Sequence, residues 1–166
     1  MIHYTFTISH EKAKATVRLP GSATLYDLAE ALIDAVGFDL DHAFGFHSDL
    51  ENPYAREMER SYTLFADHGE PSLKGDTGVA NTRVDHVFDE DDLMLFHFDY
   101  GDDWRFLIEC ISIDDTKSRK RNAEVLKITG KFPEQYPDLE EDDSDESASF
   151  GINPMTSEKI YIKKSK

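Results

Sequence analysis

Residues 93–113 have the sequence LMLFHFDYGDDWRFLIECISI, in which two stretches of alternating apolar side chains flank a short acidic break. Apolar residues at every second position are typical of strands that bury one face. The break is short enough to form the turn of a β-hairpin. Since one face of this hairpin is strongly aromatic, the rest of the chain has to supply a layer that packs against it.

The register of the hairpin is predicted from the chemistry of facing side chains. A three-residue loop, residues 101–103, makes all the facing pairs on one side apolar: Tyr100 with Trp104, Phe98 with Phe106, Phe96 with Ile108, and Met94 with Cys110. On the other side it sets Asp99 opposite Arg105, a favourable charge pair. A two-residue loop, residues 102–103, would instead place Phe96 opposite Glu109. We therefore expect the three-residue loop and a buried aromatic face.

One helix is clearly indicated before the hairpin. Apolar residues recur at helical spacing between Leu25 and Val36, forming a single stripe. Thr24 and Asp27 have the spacing of a capping box, and Gly37 stands where a left-handed residue ends many helices. The sequence therefore predicts a helix that begins after Thr24 and ends at Gly37.

The order of the elements suggests a fold. Residues 2–19 predict an N-terminal hairpin, residues 43–47 a strand, and residues 48–81 an irregular insertion with one short strand near residues 62–65. Hairpin, helix, strand and a later pair of strands is the order of a β-grasp-like (ubiquitin-like) roll. We expect an α+β fold in which a mixed sheet packs on one main helix.

The chain is strongly acidic, and its charged residues are unevenly distributed. The net charge is −16, and residues 132–158 contain nine acidic residues and no basic one. Residues 1–131 carry −11, which disfavours non-specific attraction to nucleic acid or anionic lipid. A short basic cluster is the exception. It is typical of a solvated loop, with phosphate binding as the alternative, and it comprises Lys117, Arg119, Lys120 and Arg121.

Composition also predicts the domain organisation and the compartment. Residues 138–146 contain seven acidic residues, a composition typical of mobile segments, so we divide the chain into a domain, residues 1–137, and an acidic tail, residues 138–166. The single cysteine, Cys110, excludes an intramolecular disulfide and a four-cysteine zinc site. No apolar run resembles a signal peptide or a membrane span, so we expect a cytoplasmic protein without membrane contact.

Three segments resemble one known family. The strip LFHFDYGDDWRFLIECISI resembles the YDFGDDW hairpin of the Ri-plasmid ORF-3-like family, which occurs on plasmids and beside insertion elements. RLPGSATLYDLAEALIDAVGFDLDHAFGF is similar to the helix-and-strand region of that family, and EVLKITGKFPEQYP to its later segment. Together the three lie within residues 18–137. Two residues depart from the family pattern. The family usually has phenylalanine at the position of Tyr100 and frequently has histidine at the position of Phe106.

The resemblance implies a β-grasp-like α+β fold and no particular activity, because the function of the family is not established. Some relatives are labelled resolvase-like passengers of transposable elements. A serine recombinase needs a nucleophilic serine, several active-site arginines and a basic DNA-binding region, and no such arrangement is found in this sequence.

Two sets of side chains around the hairpin are candidates for a site. Hard cations take carboxylate oxygens and other metals take imidazole, so a metal site could be built if the following residues converge: His42, His97, Asp99, Asp102 and Asp103. Aspartates at a hairpin tip are more often turn formers, and a histidine beside a carboxylate is more often structural. Trp104, Tyr100 and Arg105 could bind a ring or a base, although aromatic residues on one hairpin face are more often core.

These observations favour a non-catalytic interaction or accessory module of plasmid or mobile-element context, with a protein as its partner and no cofactor. A metal-assisted hydrolase that uses the histidine and aspartate cluster is one alternative. A nucleic-acid-associated protein that uses residues 117–121 is another, disfavoured by the acidic charge.

Overall fold

The computed structural model describes residues 1–70 and 75–137. These fall into a unit that spans Met1–Phe132 and a second one that begins at Pro133, of which residues 133–137 are described. The predictions for residues 138–166 lie outside the described residues.

Eight strands of the described part of the chain form one mixed sheet. In chain order they are β1 (Ile2–His10), β2 (Ala13–Pro20), β3 (Phe44–His47), β4 (Ser61–Thr63), β5 (Thr77–Gly78), β6 (Leu93–Phe98), β7 (Trp104–Asp115) and β8 (Glu124–Thr129). Their order across the sheet is β5-β4-β3-β6-β7-β1-β2-β8, and the β4–β5 pair is parallel. The same described residues form two helices, α1 (Leu25–Val36) and α2 (Leu64–Asp67), and one 3-10 turn at Val84–His86.

Helix α1 begins and ends as predicted. The Thr24 hydroxyl accepts a hydrogen bond from the Asp27 N–H, and the Asp27 carboxylate accepts one from the Thr24 N–H, which completes a capping box. Gly37 adopts a left-handed conformation with φ 88°. The apolar stripe of α1, which includes Leu28 and Leu32, is fully buried.

The main core lies between α1 and one face of the sheet. Fully buried aromatic rings from four strands fill it: Phe6 from β1, Phe44 and Phe46 from β3, Phe96 and Phe98 from β6, and Phe106 from β7. Successive residues on a strand point to opposite faces of the sheet. The residues between these phenylalanines and beside them, such as His97 and Arg105, therefore lie on the second face. The predicted α+β class and the buried aromatic face are therefore present.

The β-grasp roll is not confirmed. Strand β1 lies between β2 and β7 and is antiparallel to both, so the sheet has no parallel pair at its centre. Its one parallel pair lies at the edge, where β4 joins the two-residue strand β5. The insertion, residues 48–81, supplies both of these strands: the short strand expected near residues 62–65 corresponds to β4, whereas β5 was not expected.

The predicted register of the β6–β7 hairpin is wrong by two residues. Phe98 faces Trp104, and Phe96 faces Phe106, so the loop consists of the five residues 99–103. Asp99 begins the loop: it adopts a left-handed conformation, donates its N–H to the carbonyl of Ala43 at 2.9 Å on the β3 side, and accepts the Asp103 N–H at its own carbonyl. A shift of two residues keeps every side chain of the two strands on its predicted face, which explains why their apolar face was predicted correctly from wrong pairs; Tyr100, which lies in the loop, is the exception.

Candidate functional site

The hairpin loop is held by its own aspartates. Asp99 and Asp103 both adopt left-handed backbone conformations, with φ 59° and 58°. The Asp99 carboxylate accepts hydrogen bonds from the N–H groups of Gly101 and Asp102, at 3.1 and 3.2 Å, and the Asp103 N–H donates to the Asp99 carbonyl at 2.6 Å. These bonds are typical of a turn former, which is the structural interpretation that the sequence favoured for this cluster.

On the second face of the sheet, three of the candidate residues form one chain of contacts. His97 is fully buried, and its Nε2–H donates to Asp103 Oδ1 at 2.8 Å. Arg105 donates to the same oxygen at 2.9 Å and to the carbonyl of Glu51. Burial raises the pKa of Asp103, but the hydrogen bonds from Arg105 and His97 outweigh it, so the pKa lies below its ordinary value.

The other candidate histidine belongs to a different contact. His42 Nδ1 lies 2.7 Å from Asp41 Oδ1 and 3.5 Å from Asp99 Oδ2, and its ring packs edge-on against Phe98. The predicted metal cluster is thus divided between a His42–Asp99 pair and a His97–Asp103 pair. Within residues 1–70 and 75–137, no three histidine, cysteine or carboxylate side chains are grouped as a metal site requires.

A polar and aromatic cluster covers the second face near β3. His47 is buried and is hydrogen-bonded to Ser61 at 3.0 Å, while Tyr100 packs on His97 with ring centroids 4.4 Å apart. Burial raises the pKa of Tyr100, and the charges of Tyr54 and Asp76 raise it further. Tyr100 was predicted on the apolar face opposite Trp104. It lies on the second face because the longer loop carries it around the end of β6.

Gly45 on β3 leaves the space into which this cluster fits. A Cβ at this position would lie 2.7 Å from His47 Nε2 and 2.9 Å from Tyr100 Oη. The second face is therefore packed closely here, and the cluster has the character of a small core beneath the insertion.

Trp104, Tyr100 and Arg105, predicted as a binding set, do not share a surface. Trp104 is half-buried on the α1 side, where its ring lies 5.0 Å from Phe38 and stacks on Phe106. Tyr100 and Arg105 lie on the opposite face. Cys110 is buried in the main core, and burial together with the nearby carboxylates of residues 89–92 raises its pKa to about 12, so the thiol stays protonated.

Strand β8 carries a surface that the sequence reasoning missed. Val125, Leu126 and Ile128 are 43%, 45% and 54% exposed, and β8 is the last strand of the sheet, so one of its two edges has no partner strand in the described part of the chain. The apolar residues of EVLKIT are the sequence signal that could have indicated an exposed strand. We call the free side of Glu124–Thr129 the β8 edge.

The charge of this region is opposite to that of the remaining domain. Residues 117–131 contain six basic residues and one acidic residue, a net charge of +5, whereas residues 1–116 contain eight basic and 24 acidic residues, a net charge of −16. The single acid, Glu124, is already paired with Arg18 and Lys120. The β8 edge is therefore apolar, with one exposed lysine, Lys127, and it lies within a basic segment of the chain.

A cleft of about 730 Å³ opens beside the start of β8, between α1 and residues 121–123. Carboxylates line its α1 side, including Glu30 and Asp34, and Arg121 lies opposite. Asp27, also in its lining, is engaged in the capping box of α1. Carboxylates of α1 therefore face the residues that lead into β8.

This architecture defines a class of α+β proteins with one large mixed sheet and few helices, and comparison with known proteins gives the family. The chain belongs to the plasmid pRiA4b ORF-3-like family, whose profile matches residues 3–137. No curated protein matches it significantly. No helix of the described residues is long and apolar enough to span a membrane.

The chain is similar in fold to a solved structure, the protein of unknown function MM3350 from Methanosarcina mazei Go1. The two share 17% sequence identity and a TM-score of 0.56, over 76% of this chain and 67% of the other. At this identity the likeness concerns the fold alone.

Proposed function

We propose that this chain is a non-catalytic interaction module of plasmid or mobile-element context, which binds a protein in the cytoplasm through the β8 edge. The observation that carries the proposal is the concentration of exposed apolar side chains on one edge strand. Unpaired backbone groups on an edge strand are a ready template for pairing with another chain. Strand addition of this kind is a common mode of peptide recognition.

The contacts of the candidate catalytic residues favour binding over catalysis. Asp99 organises the loop, and His97, Asp103 and Arg105 are bonded to one another. The metal-assisted hydrolase is less well supported, because His42 and His97 lie in separate contacts on opposite faces of β6.

Site-specific photocrosslinking in cells that produce the chain would test this function. A photoreactive residue at Leu126 should give a discrete protein adduct, and one at Leu93, which is similarly exposed on β6, should not. The adduct at position 126 should weaken when Ile128→Lys is added. Equal adducts from both positions, or none from position 126, would contradict the proposal.

A further inference from the structure

The chemistry of the β8 edge also indicates what kind of segment binds there, an inference that rests on the proposed function. We infer that the partner of the β8 edge is an extended, acidic segment of another protein, with apolar residues on one face of the added strand and carboxylates on the other.

The first step is the assignment of each β8 side chain to a face. Ile128 faces Ala15 and Val125 faces Val17, and both β2 residues are buried in the core below α1. Facing residues in a ladder lie on the same side of the sheet. Val125 and Ile128 therefore point to the α1 side, and the extra residue of the bulge at Leu126 makes this possible for positions three apart.

The second face of the same edge is basic. Lys127 faces Thr16 across the ladder, and Lys14 and Arg18 lie two residues to either side of Thr16 on β2. All four side chains thus point away from α1. Lys14 and Lys127 make no ion pair with any described residue, whereas Arg18 is engaged by Glu124.

These two faces determine the pattern of an added strand. Its side chains on the α1 side would extend the apolar row of Val125 and Ile128, and its carboxylates on the other side would meet Lys127 and Lys14. The opposite orientation is disfavoured, because it would place carboxylates beside Val125 and Ile128 and apolar side chains beside the lysines. The complementary segment therefore alternates apolar and acidic residues.

Charge also selects against a second copy of this chain at the same edge. Pairing β8 with β8 would bring together two copies of the segment 117–131, each with a net charge of +5. A lysine on an edge strand is a recognised feature that opposes such self-pairing, and β8 has one at Lys127. A partner of opposite charge experiences attraction where a second copy experiences repulsion.

A pair of synthetic peptides tests the inference with the full chain. One is a fluorescent ten-residue peptide of alternating valine and glutamate, and its control has lysine in place of glutamate. The first should bind saturably and slow the hydrogen exchange of residues 124–129, while the control should not. Lys127→Glu should weaken the valine–glutamate peptide about tenfold, whereas Arg56→Glu, a charge reversal on the insertion, should leave its affinity unchanged.

Several outcomes would overturn the inference. Equal binding of both peptides, no binding of either, or protection outside residues 124–129 would show that the edge does not select an acidic strand. Concentration-dependent dimerisation that Ile128→Lys abolishes would identify a second copy as the occupant. Slow exchange at 124–129 without peptide, relieved when the seven acidic residues of 138–146 are replaced by their amides, would identify the chain's own tail. Preferential retention of single-stranded DNA by the same edge would identify a nucleic acid.

The peptide result is separable from the photocrosslinking result. An adduct at position 126 with no peptide binding would support the interaction function and would exclude only an acidic strand as the partner. Peptide binding with no adduct in cells would show that the edge can bind an acidic strand but would contradict the proposed interaction with a protein in the cell.

Discussion

His97 Nε2 donates a hydrogen bond to Asp103 Oδ1 at 2.8 Å, joining a fully buried ring of β6 to the last residue of the hairpin loop. Arg105 holds the same carboxylate from β7. Because a carboxylate can only accept, the Nε2 position of His97 must carry the proton. The contact therefore fixes the loop and the histidine tautomer together.

This contact predicts a pH-dependent contribution to stability. The pKa of Asp103 is lower in the folded than in the unfolded state, so its stabilising effect is complete above the unfolded value of about 3.9 and is lost as the pH falls through the folded value. Asp103→Asn should lower the free energy of unfolding at pH 7 by less than about 1 kcal/mol, because the side chain is 37% exposed. Urea unfolding at pH 7 and at pH 2.5 should show the difference from wild type shrinking at the lower pH. Asp114→Asn, an exposed position on β7, serves as the control, and an effect of Asp103→Asn that is equal at both pH values would argue against this account.

The space above Gly45 predicts a coupled pair of substitutions. Gly45→Ala should cost about 1–3 kcal/mol, because the new methyl group meets His47 and Tyr100 at less than 3 Å. Tyr100→Phe should leave stability unchanged or raise it slightly, since the buried hydroxyl has no hydrogen-bond partner among the described residues. In the Tyr100→Phe background Gly45→Ala should cost less than in wild type, because one of the two close contacts is gone. Strict additivity in denaturant unfolding would be inconsistent with this packing.

The half-buried position of Trp104 predicts an intermediate fluorescence response. As the single tryptophan of the chain, it should show acrylamide quenching between that of a buried and that of a free indole. Trp104→Ala should destabilise the fold by about 2–3 kcal/mol, below the range of about 3–5 kcal/mol for a fully buried ring. Tyr54→Ala, at a 54% exposed aromatic residue, should cost less. If Trp104→Ala left the free energy of unfolding unchanged, the ring of Trp104 would not contribute to the core.

The capping box predicts a local effect at the start of α1. Thr24→Ala should lower the free energy of unfolding by about 1 kcal/mol, because the Asp27 N–H loses its acceptor. Ser22→Ala, two residues earlier and exposed, should have little effect. If thermal unfolding gave the same midpoint for Thr24→Ala as for wild type, the hydrogen bond from the Asp27 N–H to Thr24 would not stabilise the helix.

By itself, the sequence determined those parts of this protein that depend on local patterns. The α1 helix and its cap follow from spacing and capping residues within fourteen positions, Thr24 to Gly37, and the structure confirms them. The buried face of the β6–β7 hairpin likewise follows from alternation. Both are properties of neighbouring residues, so the sequence alone contains the physical information.

Contacts between distant residues decided the remainder. At the start of the hairpin loop Asp99 is hydrogen-bonded to Ala43, far away in the sequence. His42 packs against Phe98 on one face of β6, whereas the side chain of His97 points to the other face. The antiparallel position of β1 beside β7 and the exposed edge of β8 are outcomes of strand order in the sheet. Strand order is set by the packing of the whole chain on α1, and no local pattern of residues specifies it.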